Sequence, residues 1–178
     1  MYKYLKCAYY IVIVMDTKKR DNSDKRSAEA IKLSGDIEKL KGVSSEDDAR
    51  PILREIYELS ESDNDSALDV IARIRDEDFE DSKAGRIVIN QIISAKLNVA
   101  RNESAKPSTL NTLAVGSVRN GIDDMIDTIM QCEITENSNA SLLTINYLAE
   151  NSIYSNVREL AVEEGKSRSE AVAFMLRV

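Results

Sequence analysis

The chain contains no histidine. That absence alone removes imidazole general bases, Ser-His and Cys-His nucleophile pairs, and any zinc or iron site with a histidine ligand. Cysteine is almost as scarce. Cys7 and Cys132 stand far apart without CxxC spacing, which argues against both a disulfide framework and a four-thiolate metal site. Two isolated thiols fit a reducing compartment, so the expected location is cytoplasmic. Only 6 glycines and no aromatic clusters are present, which leaves phosphate-cradling loops and base-stacking platforms poorly supplied.

Long apolar runs are also missing. The longest, Cys7 to Met15, is far shorter than the roughly 20 residues of a membrane-spanning helix, so no transmembrane span is expected. Lys3 and Lys6 ahead of that run resemble the charged start of an export signal, but no small-residue cleavage site follows it. Two other readings of Met1 to Val14 stay open: a short β-branched strand through Ile11 to Val14, or an extension upstream of a start at Met15. Thr17 to Arg26 is polar and without apolar period, and reads as a linker or basic tail.

What is present in quantity is charge. The balance is −7 overall but uneven: +4 over residues 1–42, −6 over 43–102 and −5 over 103–178. Most of the molecule would therefore repel a phosphate backbone.

From Ser27 the apolar residues recur at helical spacing. Ala30, Leu33, Ile37 and Leu40 share one face, and Gly42 stands where a left-handed helix end is expected. Ser44, Ser45, Asp47 and Asp48 can start a second helix, with Ala49, Leu53 and Ile56 inward. Ser66 can cap a third, and Ala84, Val88, Ile92 and Ala95 mark a long fourth. Leu110, Leu113, Val118, Ile122, Met125, Ile126 and Ile129 trace one further face. The fold class predicted is all-α: a multi-helix bundle or short array of helical hairpins, seven or eight helices in all, with the candidate N-terminal strand. The breaker-rich stretch near Pro107 divides the chain into an N-terminal segment with linker (1–26) and two helical halves, 27–102 and 108–178. An offset of 74 residues superposes Leu68, Ile71 and Ile74 on Leu142, Ile145 and Leu148, the pattern of a duplicated hairpin.

Two acidic patterns invite a metal reading. Asp123, Asp124 and Asp127 resemble the magnesium-binding cluster of isoprenoid synthases, and with Glu55 and Glu58 they are similar to the paired acidic helices of all-α nucleotide pyrophosphohydrolases. Each resemblance implies a magnesium-dependent all-α enzyme. The residues themselves read equally as solvated helix faces, so no catalytic, metal or cofactor residue is assigned. Asp76, Asp78 and Glu80 lack the glycine and the bidentate glutamate of a calcium loop.

The C-terminal stretch carries the clearest local signals. Gly165 suits a left-handed helix end, and Ser167 with Glu170 makes a capping box for a new helix, together a helical hairpin. Ser152 to Ala161, with Val157, Arg158 and Ala161 after the apolar run Leu142 to Leu148, resembles the turn and second helix of a HEAT-type repeat. In that family the valine packs inward, the arginine braces the neighbouring unit and the alanine lets helices approach. The same region also resembles the ribbon-helix-helix family of DNA-binding regulators, with Leu143 to Tyr147 as the strand. That second resemblance implies a dimer reading DNA through residues 143–178, with Thr144 and Asn146 facing bases and Ser167 and Arg168 beside phosphate. The leading expectation is a non-catalytic interaction or assembly module with a protein partner or a second copy of itself. DNA regulation and magnesium-dependent catalysis are the alternatives.

Overall fold

In the computed structural model the residues described are 25–43, 45–79, 82–120 and 124–175. The N-terminal segment, with its candidate strand and export signal, lies outside them, as do Glu80, Gly121 and Asp123.

Among the described residues the chain forms eight α-helices and no strand, which is the predicted fold class. The helices are α1 (residues 25–40), α2 (Glu46–Ser60), α3 (Asp65–Ala72), α4 (Lys83–Arg101), α5 (Pro107–Asn120), α6 (Asp124–Glu136), α7 (Leu142–Asn151) and α8 (Ser155–Met175). One 3-10 turn, Asp76–Asp78, joins α3 to α4.

Side-chain oxygens set four of the starts by satisfying orphan amides. Ser45 accepts from the Asp48 amide, Asn64 from Ala67, Ser82 from Gly85 and Ser141 from Thr144. Ser66, expected to cap α3, is already inside it, because the longer Asn64 side chain reaches the Ala67 amide from one turn earlier. Gly42 does end α1 in a turn, its amide donating to the Lys39 carbonyl at 3.3 Å, but its backbone is not left-handed. The single apolar face expected from Leu110 to Ile129 is divided between α5 and α6, and Met125 is 70% exposed rather than inward.

Packing follows a simple zigzag. The helices α2, α4, α6 and α8 contact one another in that order as one layer, while α3, α5 and α7 form the second, and each helix also touches its neighbour in sequence across the layers. One apolar cluster runs from Leu33 in α1 to Ala161 in α8, so the two halves share a core. Within it Leu68, Leu110 and Ile145 are equivalent. Each is wholly buried, and each donates its amide to the carbonyl of the residue four positions earlier, Asn64, Lys106 or Ser141, at the start of a second-layer helix. The intervals between them are 42 and 35 residues, so the first and third units lie 77 residues apart.

A polar ladder binds successive first-layer helices end to end. The Asn102 side-chain amide donates to the carbonyls of Ser60 and Ser62 at the end of α2 (3.1 and 2.8 Å). Asn137 repeats this on Ala100 and Asn102 at the end of α4 (2.8 and 3.1 Å). Arg168 Nη2 repeats it on Thr135 and Asn137 at the end of α6 (3.3 and 2.9 Å). The last four carbonyls of a helix lack intrahelical donors, so each rung satisfies groups that packing would otherwise strand.

Two expectations about the C-terminal stretch are corrected here. Leu143 to Tyr147 lies within α7, not in a strand, because α5, α6 and α8 together bury Thr144, Ile145 and Leu148, a helical rather than an alternating set. Helix α8 then runs through Gly165 and Ser167 unbroken. Gly165 is buried against α7: a Cβ there would stand 3.5 Å from Asn146 Oδ1 and 3.7 Å from Ile145 Cγ2. Close helix approach, not a left-handed turn, is what this glycine serves. Packing outweighs the roughly 1 kcal/mol that glycine costs inside a helix.

Candidate functional site

The four residues expected to face DNA fall in four different environments. Thr144 is wholly buried, its hydroxyl 2.9 Å from Ser141 Oγ. Asn146 is exposed at the rim of a groove between α7 and α8, and Ser167 is exposed on α8. Arg168 is turned inward with its side chain 19% exposed: Nε donates to Glu164 at 2.6 Å, and Nη1 reaches the Ala140 carbonyl at 2.5 Å besides the ladder bonds of Nη2. Its guanidinium is therefore committed to the α6–α7 connection. Of the residues quoted for the HEAT resemblance, Val157 and Ala161 are buried, while Arg158 donates to the Ser152 carbonyl at 2.8 Å within its own hairpin.

The described acidic residues of the metal readings lie on two separate helices, α2 and α6. Glu55 pairs with Lys32 at 2.6 Å and Glu58 with Arg54 at 2.9 Å, both on the outer face of α2. Asp127 is nearly buried in α6, and the Asp124 side chain is outside the description. Among the described residues no three carboxylate or thiolate side chains gather where they could hold a metal. Cys132 is half-buried in α6. Burial, with Glu136 and Glu133 nearby, pushes its thiol above the usual range, so it is protonated and unreactive at neutral pH.

Two concavities among the described residues bear on function. The larger, of about 850 Å³, lies where the 3-10 turn faces α4, α5 and α6. Its wall carries a buried ion pair, Lys96 Nζ to Asp76 Oδ1 at 2.8 Å, both side chains being about nine-tenths covered. This pair pins the 3-10 turn to α4. Arg75 and Glu77 at the mouth pair with each other at 3.5 Å. These two pairs account for four of the charged side chains of the cleft; the others are Arg73, which pairs with Asp69 at 2.8 Å, and the buried Asp127.

The smaller groove, of about 430 Å³, is shallow and open between α7 and α8. Leu142 and Val162 supply apolar walls, while Ala149, Ala161 and Gly165 keep its floor low. Lys166 and Glu170 stand at the rim. The two helices that form it carry several exposed apolar side chains: Leu143 is 80% exposed, Val172 53%, Phe174 71% and Met175 71%. The last seven residues of α8 described, 169–175, project beyond Arg168, the last rung of the ladder, and none from Glu170 onward is even half-buried. The opposite end of the array is different in kind. Exposed side chains of α1 and α2 form a mesh of ion pairs, with Lys32 to Glu55, Arg54 to Glu58 and Arg50 to Glu46.

The sequence carried a signal for this surface: Ala171 to Leu176 is six apolar residues in a row, which no single buried helix face accommodates. No helix among the described residues is long and apolar enough to cross a membrane. Comparison with protein-family models, with curated proteins and with solved structures finds no match.

Proposed function

We propose that this chain is a non-catalytic helical interaction or assembly module whose working surface is the α7–α8 end of the array. The observation that supports it is the set of exposed apolar side chains on the two helices that form the groove: Leu143 on α7, and Val172, Phe174 and Met175 on α8. Leaving such side chains in water forgoes about 25 cal/mol for each Å² that a partner could cover. Contiguous patches of this kind mark protein contacts, whereas scattered single residues do not. The charged α1–α2 end fits the complementary role of a solvated terminal unit, which stacked helical arrays require.

The reading has a direct test. A photocrosslinking amino acid placed at Leu143, in cells that naturally express the chain, should yield one discrete protein adduct, the chain itself included. Phe174→Glu should abolish that adduct without altering the helical circular dichroism. Only diffuse labelling, or an adduct indifferent to Phe174, would refute the module.

A further inference from the structure

We infer that the occupant of the α7–α8 surface is a second copy of this chain, docked about a two-fold axis so that the projecting end of each α8 lies in the groove of the other. The inference rests on the interaction reading above and names its partner. Three features of the surface lead to it.

First, the surface carries both halves of a contact on one helix. Residues 169–175 form an apolar knob-bearing segment without cover, and the groove beside residues 161–170 has small residues on its floor and apolar walls. A two-fold axis crossing α8 near Arg168 reverses the second helix, so the second copy's Val172, Phe174 and Met175 run back along Glu164, Val162 and Ala161. Self-complementarity of this sort is the defining property of an isologous interface.

Second, the charges agree with that register. Lys166 and Glu170 stand symmetrically about residue 168, and neither forms an ion pair among the described residues. An antiparallel crossing sets Lys166 of each copy beside Glu170 of the other, giving two equivalent pairs at the rim. A parallel crossing would set like charges together.

Third, the described part of the other end, α1 and α2, is dominated by charge. The α1–α2 face presents paired charges, with Ile31 as its largely exposed aliphatic residue, so head-to-tail stacking would bury ion pairs for little apolar gain. Contact of like end with like end also closes, whereas head-to-tail contact propagates into fibres. The exposed apolar side chains at the surface present roughly 500 Å² per copy, the upper part of the range for functional patches. Two copies would then cover on the order of 1,000 Å², about the threshold for a specific interface. A dimer of moderate, concentration-dependent affinity follows.

The test is sedimentation of the full chain across the micromolar range. A reversible monomer–dimer equilibrium is expected. Phe174→Glu should weaken it more than about tenfold, with the thermal midpoint of the dilute monomer unchanged because Phe174 is 71% exposed. Lys166→Glu alone and Glu170→Lys alone should each weaken it several-fold, and the double exchange should restore it, an outcome that a merely structural role for either residue would not produce. A monomer at every concentration would overturn the inference, as would a dimer indifferent to Phe174 or a double exchange that fails to rescue. A strict monomer that still gives a discrete foreign adduct at Leu143 removes the second copy as partner and keeps the interaction module. A strict monomer without any adduct removes both.

Discussion

Replacing Asn137 by alanine tests whether the polar ladder is structural support or decoration. Asn137 is 7% exposed and makes three side-chain bonds: Nδ2 to the Ala100 carbonyl at 2.8 Å, Nδ2 to the Asn102 carbonyl at 3.1 Å, and Oδ1 from the Asn139 amide at 2.9 Å. At a net value of about 1 kcal/mol each, with buried groups left unpaired when the amide goes, Asn137→Ala should destabilise the chain by about 3 kcal/mol. For a chain of this size that corresponds to a fall in melting temperature of roughly 6 to 12 °C. Asn137→Asp separates the donor role from simple space filling. It keeps the acceptor for Asn139 but turns an oxygen, and at neutral pH a negative charge, toward two carbonyl oxygens. It should therefore be worse than alanine at pH 7. Its deficit should shrink as the pH falls and the introduced carboxylate, its pKa raised by burial and by the carbonyls, regains a proton to donate. Denaturant unfolding followed by circular dichroism at pH 7 and pH 5 measures both effects. A loss below about 1 kcal/mol for alanine, or an aspartate variant no worse than alanine at pH 7, would show that the rungs contribute little.

Two further perturbations probe other parts of the fold. Gly165→Ala should stabilise the protein by up to about 1 kcal/mol, since alanine is the better helix former and the added methyl meets Asn146 and Ile145 at ordinary contact distance; a loss of more than that would instead reveal the left-handed turn that the local sequence suggests. Acid sensitivity should be visible in two carboxylates. Lys106 beside Asp65, and Lys39 beside Asp36, hold these groups below the ordinary carboxylate range. A depressed folded-state value means the contribution is complete above the unfolded value, about pH 4, and is lost as the pH falls through the folded one. Stability measured in urea should thus decline below about pH 4, and Lys106→Met should flatten part of that decline; an unchanged profile in the variant would refute the Asp65 contribution.

Helix existence was legible in the sequence because apolar spacing and caps agree: Ser45 starts α2, and Val88, Ile92 and Ala95 line the core of α4 as their period implies. Register was not. An offset of 74 residues places Leu68 on Leu142, which is 36% exposed, whereas the structural equivalent is Ile145, 77 residues on and wholly buried. The error is three residues, about one helical turn, and apolar stripes superpose almost as well after such a slip. The middle unit, marked by Leu110, was invisible because its two intervals are unequal. Burial separates the two alignments: Leu142 is 36% exposed, whereas Leu68, Leu110 and Ile145 are all wholly buried.

The candidate surface was hidden for a different reason. Gly165, Ser167 and Glu170 form a locally consistent signal to stop one helix and start another, and the fold overrides it. Arg168 secures the far side of that same stretch to the carbonyls of the α6–α7 connection, and Ser169 Oγ bonds back to the Gly165 carbonyl at 2.7 Å as in a helix interior. Continuity through residue 165 is what carries residues 169–175 past the ladder and holds the groove floor against α7. A turn there would fold the apolar end back and close the groove. Conflict between local propensity and observed structure tends to concentrate at functional positions, and here it falls on the one helix that bears the exposed apolar end. Gly165→Ala, which strengthens the helix without altering the rim charges, should accordingly leave self-association intact, whereas a proline at Gly165, which breaks the helix, should abolish it even if the first seven helices remain folded.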